Sequence, residues 1–115
     1  MSHHEDRIRL RHMLDHAREA LTMVNGRSRS DLDTDRQLNL ALVRLLEIVG
    51  EAANRVSTET RDRHPEIPWQ DTIDLRYRLI HGYDSVDFDV LWRVLHNDLP
   101  PLIAALEGIV GAEQG

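Results

Sequence analysis

The stretch Leu38–Val56, LNLALVRLLEIVGEAANRV, decides the fold. Leu38, Leu42, Leu45, Val49, Ala52 and Val56 recur at intervals of 4, 3, 4, 3 and 4, which lines one face of a helix. Ala41, Leu46, Ile48 and Ala53 widen that stripe. The pattern predicts a central helix that meets partners on more than one side. Just upstream, Asp33, Thr34 or Asp35 can cap it by accepting hydrogen bonds from its first free N–H groups. Glu47 and Glu51 stand out as carboxylates one turn apart in this mostly apolar helix.

The flanking sequence is helical too. On the N-terminal side, Leu10, Leu14, Ala17, Leu21 and Val24 form a second amphipathic stripe, ended by Asn25-Gly26. Gly26 to Asp33 reads as a polar loop. On the C-terminal side, residues 57–68 read as a connection with room for one helical turn before Pro65. Pro68 suits the first turn of a third helix, where its missing N–H goes unmissed. That helix is predicted to run to about His81, with Ile73, Tyr77 and Ile80 on one side, and to stop at Gly82. Asp87 caps a fourth helix with Phe88, Leu91 and Leu95 inward. Pro100-Pro101 is expected to break it, and Leu102, Leu106 and Ile109 continue the stripe in a short fifth helix, either separate or collinear with the fourth after a kink. No alternating strand pattern of useful length appears. The expected fold is all-α, an up-and-down helical bundle of four to five helices filling residues 1–115 as a single domain. Wide apolar faces on so small a chain favour a dimer.

Composition narrows the chemistry. The chain has no Cys and no Lys, so all 14 basic residues are arginines. Thiol nucleophiles, disulfides, Cys-ligated metals, Schiff-base amines and P-loop lysines are excluded. No apolar run is long enough to span a membrane, and the N-terminus lacks signal-peptide character, so a cytoplasmic protein with no membrane association is expected. Residues 1–58 balance nine arginines against nine acids, whereas residues 59–115 hold five against eleven, which accounts for the net charge of -6. A broad polyanion-binding surface is disfavoured; a local arginine site is not. All five aromatics, Trp69, Tyr77, Tyr83, Phe88 and Trp92, fall in that second half.

The same half contains the segment with the most chemical content, Arg76-Tyr77-Arg78-Leu79-Ile80-His81-Gly82-Tyr83. Arg76 offers a planar fork of donors matched to phosphate. His81, read as lying in the last helical turn, is a candidate proton-transfer group, with the free carbonyls there favouring imidazolium. Together they hold the minimum parts for metal-free RNA cleavage. On a continuous helix they would sit roughly 140° apart, so two copies across a twofold would build the cleft jointly. Tyr77, one turn before His81, would share its face and orient the imidazole.

This segment matches the R-x4-H-x-Y motif and resembles that of HEPN-domain ribonucleases. Ile48-Val49-Gly50-Glu51-Ala52-Ala53, Ile67-Pro68-Trp69, Asp84 to Asp87 and Asp98-Leu99-Pro100-Pro101-Leu102 are similar to the HepT-type toxin branch, so the resemblance spans about residues 5–110. It implies a five-helix, homodimeric ribonuclease toxin of a type VII-like system, acting on RNA without a cofactor or metal. Its implied partner is a minimal nucleotidyltransferase antitoxin (MNT type). The catalytic residues it implies are Arg76 and His81, and Tyr83 is the site of adenylylation that silences the nuclease. Tyr77, Arg78 and Glu51 are candidates for support. Family members usually carry a small polar residue, often Asn, where this chain has Tyr77. That departure keeps a second reading open, a non-catalytic HEPN subunit that binds the nucleotidyltransferase.

Other candidates read as structural. His12 and His16 have metal-binding spacing but no third ligand, and read as a solvated face. Glu47 and Glu51 are a candidate paired-carboxylate site and Glu51 a candidate orienting partner for Arg76 or His81, but a supporting ion pair is the simpler role for either. Trp69 and Trp92 read as packing residues. Arg27 and Arg29 are equally compatible with a solvated loop and with contact to RNA or a partner.

Overall fold

Asp35 starts the central helix. Its backbone is extended and its carboxylate accepts from the Leu38 N–H at 3.0 Å, satisfying a donor that the first turn leaves free. The computed structural model describes residues 3–114. In it α3 runs Arg36–Arg55 and buries Leu38, Leu42, Leu45, Leu46, Val49, Ala52 and Ala53. One flank packs against α1, His3–Val24, whose Leu10, Met13, Leu14, Ala17, Ala20 and Val24 are buried. The other flank packs against α5, Trp69–Ile73, and α6, Leu75–Leu79. This is the two-sided contact the wide stripe predicts.

Gly26, at φ 77°, ends α1 in the left-handed region that suits glycine. The loop that follows is not wholly irregular: Asp31–Thr34 forms one turn, α2. Leu32 is fully buried there, and the buried Asn39 amide donates to its carbonyl at 2.8 Å, so tertiary contacts hold the turn in place. After α3, Ser57 caps α4, Thr58–Arg63, the expected turn before Pro65. Buried Asp6 of α1 accepts from the Ser57 N–H, the Ser57 hydroxyl and the Thr60 hydroxyl, tying the start of the chain to the α3–α4 junction. Burial pushes this carboxyl up, but those hydrogen bonds outweigh it and hold Asp6 below the usual range.

The predicted third helix is corrected in three ways. It breaks at Asp74, where the backbone turns to φ -87°, ψ 7° between α5 and α6. It ends at Leu79, and Ile80–His81 become a short strand, β1, antiparallel to β2, Ser85–Val86. Ile80 pairs with Val86 and His81 with Ser85, while Gly82 takes φ 74° in the turn. Tyr77 points outward at 80% exposure; the inward residues are Leu75 and Leu79. His81 therefore does not lie in a last helical turn. The one-face relation to Tyr77 does not hold.

Asp87 caps α7, Phe88–Arg93, as expected, accepting from the Asp89 and Val90 N–H groups. The expected break at Pro100-Pro101 does not occur. Both prolines lie in the first turn of α8, Leu99–Gln114, a helix of 16 residues that continues from α7 through a π-helical turn, Val94–Asp98. The Leu99 N–H bonds back to the Val94 carbonyl, and this wider turn gives room for proline rings that would clash with preceding carbonyls in a regular α-helix. The architecture is an all-α bundle carrying one two-residue hairpin. Among the described residues no helix is long and apolar enough to cross a membrane.

Candidate functional site

Gly50 sets the approach of α3 to the motif. A Cβ there would meet the Thr72 carbonyl oxygen at 2.9 Å and that of Ile73 at 3.4 Å, so only glycine lets α3 lie this close to the end of α5. That proximity places Glu47, three residues earlier on α3, beneath the motif arginine. Arg76 Nη1 donates to Glu47 Oε2 at 3.2 Å. The Glu47 side chain is 16% exposed and the Arg76 side chain 62%, so the carboxylate is mostly covered while the guanidinium stays open to solvent. Beside them runs a groove of about 290 Å³ lined by Glu47, Gly50, Glu51, Asn54, Ile73, Asp74, Arg76 and Tyr77.

His81 projects from β1 with its side chain 65% exposed, and its Nε2 lies 3.8 Å from Asp87 Oδ2. The same carboxylate caps α7. Its pKa is lowered first by the Val90 N–H, with the Asp89 N–H and nearby His81 adding to this against a desolvation cost. The Asp87 N–H also donates to the Leu79 carbonyl at 2.8 Å, which clamps the hairpin between α6 and α7. Tyr83 stands in the hairpin turn, 94% exposed.

The motif residues are thus brought to the surface by one short segment, α6 and the hairpin, but they do not all converge. Arg76 and Tyr77 share a groove, whereas Arg78 faces elsewhere. It is half-buried and its Nη2 donates to Asp98 Oδ2 at 2.8 Å, fastening α6 to the π-helical turn. Glu51 lines the Arg76 groove but is itself exposed, with Oε1 3.8 Å from Arg44 Nη1. Its neighbour Glu47 makes the contact with Arg76 instead. Two carboxylates next to the motif, Glu47 and Asp87, escape a reading by sequence spacing. Glu47 carries a weak signal as an acid amid apolar residues; Asp87 is legible only as a cap.

The remaining candidates sit in ordinary surroundings. His16 Nδ1 lies 2.7 Å from the His12 carbonyl, and among the described residues no cluster of three metal-binding side chains forms. Arg29 bridges Asp33 at 3.0 Å and Asp89 at 2.8 Å, which raises its pKa, and Arg27 lies 3.4 Å from Asp35. Trp69 donates its indole N–H to the His64 carbonyl at 2.9 Å, and Trp92 packs against the core while stacking on His96.

Comparison with known proteins agrees with the family resemblance. Residues 13–109 match the family described as Ribonuclease HepT-like. A relative from Thermococcus cleftensis, provisionally named ribonuclease HepT, is 36% identical over 93 residues, covering 77% of this chain and 84% of its own. A provisionally named RNase from Caldanaerobacter subterraneus subsp. tengcongensis is 32% identical over 105 residues, covering 91% and 94%. Another, from Methanocaldococcus jannaschii, is 27% identical over 107 residues, covering 93% and 98%. No solved structure gives a significant match. With the match running from α1 through α8 and across the exposed Arg76–Tyr83 segment, the chain belongs to the HepT-like ribonuclease family.

Proposed function

We propose that this protein is a metal-independent endoribonuclease toxin whose catalytic residues are Arg76 and His81. The observation that carries the reading is their exposure on one short segment, each beside its own carboxylate, in a chain of this family. His81 takes the proton of an RNA 2′-hydroxyl as that oxygen bonds to phosphorus. The P–O5′ bond then breaks, and the leaving O5′ receives a proton from an imidazolium, most simply the second histidine of a homodimer. Arg76 stabilises the charge on the phosphorane-like transition state. A homodimer suits this scheme because each chain supplies a single motif histidine, whereas the reaction needs one proton acceptor and one proton donor.

Regulation follows from Tyr83. Its phenol lies two residues from His81 and is fully accessible. An adenylate placed there by a cognate MNT-type nucleotidyltransferase antitoxin would bring a bulky anion to the phosphate site and exclude RNA. This makes the pair a type VII-like toxin–antitoxin system.

The test is cleavage of single-stranded RNA by purified protein in EDTA. Wild type should cut, Arg76→Ala should lose at least about a hundredfold in rate, and adenylylated protein should be silent while Tyr83→Phe escapes silencing. Intact RNA together with tight nucleotidyltransferase binding would instead support the non-catalytic subunit.

A further inference from the structure

Asp87 touches three things at once. Its Oδ1 accepts from the Asp89 and Val90 N–H groups at 3.1 Å each, its N–H donates to the Leu79 carbonyl at 2.8 Å, and its Oδ2 faces His81 Nε2 at 3.8 Å. The cap fixes the carboxylate plane, because both α7 donors take the same oxygen. The other oxygen is then held toward the imidazole by the helix rather than by chance rotation. Among the described residues no other carboxylate oxygen lies within 4 Å of the His81 ring nitrogens. The backbone hydrogen bond to Leu79 and the pairing of His81 with Ser85 fix the other side of the relationship, since they set where β1 stands relative to α7.

We propose that Asp87 is the positioning residue for His81, holding the proton on Nε2 so that Nδ1 is the nitrogen that accepts the RNA 2′-hydroxyl proton. The assignment rests on the ribonuclease reading above. A carboxylate accepts only, so the ring nitrogen facing it carries a hydrogen and the far nitrogen keeps its lone pair for the substrate. When Nδ1 takes the proton, the resulting imidazolium stands against a negative charge that α7 already holds in place. The separation of 3.8 Å is an ion-pair distance that closes to a hydrogen bond as substrate binds, in keeping with the tightening common at catalytic groups.

The variants Asp87→Asn and Asp87→Ser separate this role from capping. Asn and Ser both cap helices well, so α7 should survive in each. In Asp87→Asn the amide oxygen is required by the α7 N–H groups, which turns the NH2 toward Nε2. That donor favours a bare Nε2 and moves the proton to Nδ1, the wrong tautomer for the reaction. Asp87→Ser removes the partner without imposing a tautomer. The expected order of kcat for RNA cleavage is wild type, then Asp87→Ser lower by about fivefold, then Asp87→Asn lower by well over tenfold, with KM little changed.

A readout free of RNA accompanies it: ¹⁵N imidazole spectra at one fixed pH, with the His81 signals assigned by their loss in His81→Ala. They should show the Nε2–H tautomer in wild type and a switch toward Nδ1–H in Asp87→Asn. Folded Asp87→Asn with wild-type kcat and an unchanged tautomer would overturn the proposal. Should Asp87→Asn not fold, Asp87→Ser with wild-type kcat would overturn it equally. A tautomer switch in a protein whose wild type leaves RNA intact would retain the positioning role and reject the ribonuclease reading.

Discussion

Arg76 reaches back 29 positions to Glu47, Nη1 to Oε2 at 3.2 Å, and this pair joins the motif helix to the centre of the fold. Glu47 is mostly covered in an otherwise apolar stretch of α3, where a carboxylate is costly unless a cation answers it. The contact uses one edge of the guanidinium and leaves the remainder to solvent, which is the arrangement a phosphate-binding arginine needs. Arg76 is largely exposed, so removing Glu47 leaves no unpaired charge buried, and an apolar side chain fits the covered position. Glu47→Leu should therefore keep or raise the Tm while RNA cleavage falls about tenfold, because Arg76 loses its anchor. A melting curve and a cleavage rate on the same sample check this. Unchanged cleavage would show that Arg76 needs no such anchor.

Gly50 offers a second test of the same junction. Gly50→Ala would drive a methyl into the Thr72 and Ile73 carbonyls, both of them backbone, so α3 and α5 must part. The expected loss is about 1–3 kcal/mol, against the gain of up to about 1 kcal/mol that alanine normally brings to a helix. Gly108→Ala on α8 is the control, since a Cβ there meets nothing within 4 Å and should stabilise. Urea unfolding of the two variants should move in opposite directions.

Asp6 predicts the acid response. Its pKa is lowered in the folded protein, so its stabilising contribution is complete above the unfolded value near about 3.9 and is lost as pH falls through the lower folded value. Asp6→Asn should destabilise by about 2–3 kcal/mol at neutral pH. The gap between variant and wild type should narrow progressively below about pH 4. Unfolding free energies measured from pH 7 down to pH 3 check both the size and the sign.

Tyr77 is the departure from the usual family pattern, and its exposure separates activity from stability. Tyr77→Asn should alter unfolding free energy by no more than about 0.5 kcal/mol. Cleavage should be kept or increased as bulk leaves the rim of the Arg76 groove. A folded variant without activity would show that Tyr77 is required.

Much of this architecture could be read from particular residues, and the exceptions share one cause. The stripe from Leu38 to Val56 and the caps at Asp35 and Asp87 are local signals, decided by helical period and by a side chain reaching its own first turn. The end of the third helix is not local. It depends on Gly50 meeting the end of α5 and on the Asp87 N–H taking the Leu79 carbonyl, contacts made only once the chain has folded back. Pro100-Pro101 reads as a stop because a regular helix would reject it, and the π-helical turn that accommodates it has no signature in the prolines. At the site, Arg76, His81 and Tyr83 announce themselves as a motif. Whether Glu47 or Glu51 answers Arg76 depends on where α6 lies along α3, one turn one way or the other, and spacing within α3 says nothing about that.

The central claim is that His81 performs the proton transfer in RNA cleavage. The direct measurement is the rate of single-stranded RNA cleavage in EDTA by wild type and by His81→Ala, each verified as folded by its melting curve. The account predicts that wild type cuts and that the variant loses about a hundredfold or more. Equal rates for the two proteins would contradict it.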